Sequence, residues 1–269
     1  MVTTTDRNFD DLAERFAHRV YGGAKGKIRQ AVISRDLDAF IPRALATAGL
    51  KPLRVLDVGG GLGYFAIKLA ALGHTVVFND LSGVMTAKAQ QTAKAVGVYD
   101  NITWHTGPYQ ELNQALPAGH GFDLILCHAL LEWLAQPAEL IPALRALLLP
   151  RGYLSFCFYN PQGMVYRNLI RGNFDWVNQS QHYRANQRSL TPNNAIAIPQ
   201  VEAWLSASNF TILSEAGIRV FTDYVVDKRG GHQCEDQVLA MELVYSNQAP
   251  YMRLGRYIHI LAQCNTENK

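Results

Sequence analysis

From residue 53 to residue 159 the chain alternates short apolar runs with stretches whose apolar positions recur every three to four residues. Residues 53–58, 75–79, 102–105, 122–127 and 153–159 have the length and near-continuous hydrophobicity of strands buried on both faces. Residues 64–72, 82–96 and 138–149 carry the helical period instead. This alternation predicts a mostly parallel sheet with helices on both faces, a Rossmann-like α/β fold. Helical periodicity also marks 7–20 and 28–41, separated by a Gly-Gly-Ala-Lys-Gly turn. Beyond a polar, aromatic-rich stretch at 160–198, helices are expected at 201–208 and 234–247. Strands at 211–221 and 256–263 bring the sheet to seven.

Composition narrows the class. The chain has 269 residues, 48% of them hydrophobic and 17% charged, enough for a substantial core and unlike a disordered chain. A formal net charge of +3 is too small to argue for nucleic-acid binding from the total alone. Residues 1–16 show no basic segment followed by an apolar one, and the most apolar run, 141–150, is broken by Arg145 and two prolines. Neither a signal peptide nor a membrane span is expected. Cys127, Cys157, Cys234 and Cys264 are widely spaced and form no CxxC pair. Neither a disulfide framework nor a metal site is expected, and a cytoplasmic protein is.

The chemistry concentrates after the first of these strands, in Asp57-Val-Gly59-Gly60-Gly61-Leu-Gly63. Glycines there permit unusual backbone angles and let a ligand approach the main chain. A G-x-G-x-x-G reading would place a dinucleotide pyrophosphate on the following helix. The spacing present is D-x-G-x-G-x-G, and a carboxylate at that mouth repels a pyrophosphate but can receive a cationic amino group. Asp80, at the end of the next strand, can accept hydrogen bonds from both hydroxyls of a ribose. Together these residues point to S-adenosylmethionine, with a nicotinamide or flavin site and a purely structural turn as the alternatives.

Residues 50–160 resemble the class I methyltransferases, including Phe122-Asp-Leu-Ile-Leu-Cys-His128 and the turn Leu147-Leu-Leu-Pro-Arg-Gly, where Arg151 replaces the usual glycine. A closer resemblance runs nearly end to end. Asp6-Arg-Asn-Phe-Asp-Asp, Tyr21-Gly-Gly-Ala-Lys-Gly-Lys-Ile-Arg29, His128-Ala-Leu-Leu-Glu-Trp133, Gly172-Asn-Phe-Asp175, Gly217-Ile-Arg-Val-Phe-Thr-Asp-Tyr224 and Leu254-Gly-Arg-Tyr-Ile-His259 are similar to the bacterial tRNA 5-carboxymethoxyuridine methyltransferase family. The resemblance implies methyl transfer from S-adenosylmethionine to the carboxylate of 5-carboxymethoxyuridine at the tRNA wobble position. It also implies cofactor contacts from Arg29, Gly59, Gly60, Asp80, Tyr109, Gln110 and His128. With Asp57, Gly61 and Leu81 these form the expected cofactor set. On this reading the chain is one methyltransferase domain, 1–269. It comprises a helical cap (1–50), a cofactor-binding core (51–159), a substrate-side insertion (160–198) and the rest of the sheet (199–269). One departure stands out: the family has a lysine cluster after Gly-Asn-Phe-Asp, whereas 177–190 here hold only His182, Arg184 and Arg188.

A carboxylate acceptor is ionised at neutral pH and needs no general base, which suits a chain with no evident acid/base dyad. It does need a donor to hold it, through a bidentate arginine or a tyrosine hydroxyl. The candidates are Tyr21, Arg167, Arg171, Arg219 and Arg256, each of which reads equally as a solvated surface residue. His128 is expected to shape the cofactor pocket without titrating, and Glu132 reads as a helix-surface charge. The insertion carries four arginines against one acid, Asp175, with Tyr166, Phe174, Trp176 and Tyr183 interleaved. Such a mixture can stack bases and contact phosphates, which makes Arg184, Arg188, Trp176 and Tyr183 the RNA-binding candidates and a tRNA anticodon stem-loop the expected partner. The same composition also fits a lid over a small molecule. Two alternatives share the core: a small-molecule carboxyl or quinone-type methyltransferase, and a cofactor-binding RNA module without turnover, against which the intact loop, Asp57, Asp80 and Arg29 argue.

Overall fold

The computed structural model describes residues 5–16, 22–117, 119–179, 192, 194 and 196–266. Seven strands, β1 (Arg54–Val58), β2 (Thr75–Asp80), β3 (Ile102–Thr106), β4 (Phe122–His128), β5 (Leu148–Tyr159), β6 (Phe210–Ile218) and β7 (Tyr257–Cys264), form one sheet in the order β3-β2-β1-β4-β5-β7-β6. The strands from β3 through β5 pair in parallel, and β7 runs antiparallel to both neighbours. The predicted Rossmann-like sheet is therefore present, with one strand reversed.

Side chains alternate between two cores as strand pleating requires. Val55, Val76, Phe78, Leu124 and Leu126 pack on one face, against α2 (Gly23–Thr47) and α3 (Tyr64–Ala71). Leu56, Val58, Val77, Ile125 and Cys127 pack on the other, against α6 (Leu140–Leu147) and α9 (Ile198–Ala207). The remaining helices are α1 (Ala13–Phe16), α4 (Gly83–Ala95), α5 (Leu112–Ala115), α7 (Pro161–Ile170), α8 (Phe174–Gln179) and α10 (Glu235–Tyr245). No described helix is long and apolar enough to cross a membrane.

Three expectations change. The Gly-Gly-Ala-Lys-Gly turn is the opening of α2: Gly22 is its N-cap, and Gly23, at φ 66°, begins 25 helical residues. Of the N-terminal helix expected at 7–20, the described residues form a 3-10 turn, Asp10–Leu12, and the helical residues Ala13–Phe16, and 17–20 lie outside the described residues. Within 160–198, α7 and α8 form where composition signalled neither helix. Asn160 caps α7, accepting from the Gln162 N–H at 3.1 Å, and Pro161 takes the first helical position.

Candidate active site

The order of the sheet reverses direction between β1 and β4, and the C-terminal ends of β1, β2 and β4 open there onto one cavity, where open α/β sheets bind ligands. Its empty space, counted with the solvent-open mouth, is about 740 Å³. Gly59 and Gly61 line it at φ 64° and 58°, backbone angles that L side chains resist. Gly60 lies beneath: a Cβ there would stand 2.4 Å from the Phe78 ring. Asp80 ends β2 with both oxygens engaged by the loops around it. Oδ2 accepts from the Gly61 N–H and Oδ1 from the Ser82 N–H, each at 2.8 Å. Each oxygen keeps acceptor capacity toward the cavity. Burial first, then the Asp10 charge, raises the Asp80 pKa. Leu81 and Tyr109 line the same wall.

A smaller recess continues inward and shares Arg29, Gly59 and His128 with the cavity. It adds Asp57, buried at 4% exposure, whose carboxyl is pushed up to about 7 by burial and by the Asp80 charge. A guanidinium and a carboxyl thus face one dry recess. That suits the carboxylate and ammonium of an amino acid, and the Asp57 carboxyl beside the glycine loop disfavours a pyrophosphate there. His128 ends β4, its imidazole held well below its ordinary pKa by burial, then by His259 and Arg29. Gln110 does not line the cavity; its side-chain amide donates to Asp6 Oδ2 at 3.0 Å.

The N-terminal segment forms a strap over this cavity that the sequence did not signal. Asp6, Arg7 and Phe9 line it. Asp6 Oδ1 accepts from the Ala135 N–H at 2.8 Å, the Arg7 N–H donates to the Trp133 carbonyl at 3.0 Å, and the Phe9 and Trp133 rings meet edge to face. Asp10 accepts from the Ser82 hydroxyl at 2.5 Å and from the Val84 N–H at 3.2 Å, tying the strap to the start of α4.

A second group of charges adjoins the first. Arg219 and Arg256 approach the two oxygens of Asp223 at 3.4 and 3.7 Å, and Arg167 donates to the Asp223 carbonyl at 3.2 Å. Burial, then Arg171 and Arg256, lowers the Arg167 pKa. Burial also lowers that of Lys25, whose charged neighbours are Asp223, Arg219, Arg167 and Arg256. The Tyr257 ring joins this group to the cofactor side, with the Arg29 guanidinium 5.1 Å and the Arg219 guanidinium 5.6 Å from its centroid. Four of the five acceptor-holding candidates thus come together, and Tyr21 lies outside the described residues. So do Tyr183, Arg184 and Arg188, while Trp176 is half-buried on α8.

Glu132 is not the surface charge its sequence context implied. It is 2% exposed, neither carboxylate oxygen has a hydrogen bond of normal geometry, and burial pushes its pKa up to about 7. The neighbouring Tyr159 hydroxyl, under the Arg256 guanidinium, is also buried with no hydrogen-bond partner among the described residues. No local pattern in the sequence announces either group, because both are enclosed by the ends of β5 and β7.

A glycine-lined loop, an aspartate at the end of β2 and a recess holding a guanidinium and a carboxyl meet at the turning point of this sheet, as expected of an S-adenosylmethionine-dependent methyltransferase. A family model described as a methyltransferase domain matches residues 28–215. The chain is 43% identical over 258 residues to the tRNA 5-carboxymethoxyuridine methyltransferase of Escherichia coli (strain K12), with 96% of each chain covered. The ubiquinone biosynthesis O-methyltransferase of Paracidovorax citrulli is 34% identical over 127 residues, 46% of this chain and 52% of that one. In fold, the magnesium protoporphyrin IX methyltransferase of Synechocystis PCC 6803, solved with bound SAH, superposes with a TM-score of 0.63 at 18% identity over 96% of both chains. The chain belongs to the methyltransferase-domain family and, within it, to the family of the tRNA 5-carboxymethoxyuridine methyltransferase.

Proposed function

We propose that this enzyme methylates the carboxylate of 5-carboxymethoxyuridine at the wobble position of tRNA, giving the methyl ester. The observation that carries the reading is the excess of positive charge beside the cofactor cavity. Arg167, Arg219, Arg256 and Lys25 gather around Asp223, and Arg171 adjoins Arg167. When bound, S-adenosylmethionine supplies an electrophilic methyl group, and the protein's part is alignment and exclusion of water. The acceptor arrives already ionised, so holding it is what the site must do. Arg219 and Arg256, each with most of its side chain buried, are the groups we assign to that task. Asp223 tempers their field, so that the acceptor oxygen is held without losing its nucleophilicity. Arg29 and Asp57 hold the two ends of the amino-acid tail, and Asp80 holds the ribose.

The anticodon stem-loop approaches, in this reading, over α7 and α8. There Tyr166, Leu169, Ile170 and Phe174 are all exposed, and Arg167 and Arg171 adjoin them. The whole chain acts as one domain, in the cytoplasm where tRNA is found. The test is reconstitution: purified protein, S-adenosylmethionine, and tRNA from cells lacking the protein, with wobble nucleosides read by mass spectrometry. The free acid is expected to convert to its methyl ester. Arg219→Gln with Arg256→Gln is expected to lower kcat/KM for tRNA at least tenfold while the cofactor dissociation constant stays within about twofold, consistent with loss of charge-assisted hydrogen bonds. Methylation of small-molecule carboxylates with tRNA untouched would overturn the reading.

A further inference from the structure

A chain of three hydrogen bonds runs from the cofactor cavity through the sheet to α2. His128 Nε2 meets Ser155 Oγ at 2.8 Å, Ser155 Oγ meets His259 Nε2 at 2.8 Å, and His259 Nδ1 meets Asp36 Oδ2 at 2.7 Å. The other Asp36 oxygen accepts from the Arg35 Nε and Nη2 groups at 2.9 and 2.6 Å. Ser155 and His259 are 0% and 1% exposed, so no water competes for these bonds. The two imidazoles stand edge to face at 5.7 Å, and Phe65 packs against the His128 ring from the other side of the recess at 5.1 Å. Asp36 lies seven residues after Arg29, two turns on along the same face of α2.

The proton positions follow from donor and acceptor capacity. Against burial, the hydrogen bonds from His259 and Arg35 and the Arg35 charge hold the Asp36 carboxyl below its ordinary range, so Asp36 only accepts. His259 Nδ1 therefore donates. A neutral His259, which adds no second buried cation beside Arg35, then has a bare Nε2 that accepts from the Ser155 hydroxyl. Ser155 Oγ has spent its one proton and can only accept from His128, whose Nε2 must carry a hydrogen. His128 Nδ1 is left bare. It has no hydrogen-bond partner among the described residues, and the residue borders both the cavity and the recess.

We propose that Ser155, His259 and Asp36 are positioning residues that fix His128 as the Nε2–H tautomer, so that it presents an acceptor to a donor group of the cofactor. The second shell of a ligating histidine commonly sets which nitrogen is protonated. Here the control passes through a serine and a second histidine to a helix that also bears Arg29.

The test begins with unsubstituted, 15N-histidine-labelled protein free of cofactor, in which long-range 1H–15N correlations report the protonation of each ring nitrogen. His128, assigned from the signals lost in His128→Asn, is expected to show a protonated Nε2 and a bare Nδ1. In Ser155→Ala the chain is cut, and His128 is expected to become a mixture of tautomers while His259 keeps its Nδ1 proton. The dissociation constant for S-adenosylhomocysteine should rise about two- to tenfold, the worth of one misdirected hydrogen bond. Asp36→Asn provides the same test by another route, since an amide can donate to Nδ1 as well as accept and so releases the preference at both histidines. A protonated Nδ1 on His128 in the unsubstituted protein would overturn the proposal. So would a His128 tautomer that is the same in both variants as in the parent.

Discussion

At the scale of single residues, the cofactor site carries a cost that its ligand removes. Asp57 is buried beside Asp80 on the adjacent strand, and its carboxyl is pushed from 3.8 up to about 7. A raised folded-state pKa means that the protonated form stabilises the fold fully below about pH 4. That contribution is lost as pH rises toward 7, where the buried carboxyl ionises beside the Asp80 charge. Asp57→Asn keeps the shape of the protonated acid and cannot ionise. We expect its Tm, without cofactor, to exceed that of the parent at pH 8, with the difference shrinking steadily toward pH 4. Its affinity for S-adenosylmethionine should fall, because the ammonium loses a charged partner. Parallel Tm profiles from pH 4 to 8 would show that Asp57 does not ionise within the fold. This residue was legible in the sequence from its place two before the first glycine of the loop, and Asp80 from its place at the end of an apolar run. Glu132 was not, because Leu-Glu-Trp reads as an ordinary amphipathic turn. Only the tertiary enclosure of that turn buries the carboxylate.

At the scale of elements, what was legible follows from how local each signal is. Apolar runs with flanking glycines marked all seven strands, and Ser82 marked the start of α4, where its hydroxyl accepts from the Met85 N–H. The N-terminal strap was illegible because Asp6 and Asp10 pair with residues 129 and 72 positions away. The start of α2 was misread because two glycines ordinarily signal a turn, and Gly23 does adopt a left-handed φ before the helix takes over. The cofactor loop offers a sharp test of whether its glycines serve space or only flexibility. Gly60 has no need of an unusual φ, yet an added methyl would drive into the Phe78 ring. Gly60→Ala should therefore destabilise the fold by about 1–3 kcal/mol, the usual cost of overpacking, and weaken cofactor binding as Phe78 shifts. Gly83→Ala, at the first position of α4 with nothing within 4 Å, is the matched control and should leave Tm unchanged or slightly raised. Equal Tm values for the two variants, measured by calorimetry, would show that the loop yields to accommodate a side chain.

At the scale of the whole molecule, the chain's net charge of +3 conceals its distribution. Arg167 on α7 and Arg171, the residue that ends it, stand beside the arginines gathered around Asp223, and Arg184 and Arg188 follow in the same insertion. A tRNA held there contributes phosphates to several of them at once. Each neutralised phosphate releases counterions, and log affinity then falls linearly with log salt. Arg184→Gln with Arg188→Gln is accordingly expected to weaken tRNA binding and to flatten that slope by at most ~2 units, leaving cofactor affinity unchanged. Phe174, 59% exposed at the start of α8, makes a separate demand. If it stacks on an unpaired base, Phe174→Ala should cost ~1–3 kcal/mol of tRNA affinity without lowering Tm, since so exposed a ring contributes little to the core. A ring packed under a closing lid would show the reverse, a lowered Tm with tRNA affinity intact. Measuring both quantities for both variants across a salt series separates the readings. An unchanged slope in the arginine pair, together with unchanged affinity in Phe174→Ala, would move the tRNA interface off the insertion. The arginines around Asp223 would then have to hold the anticodon loop alone.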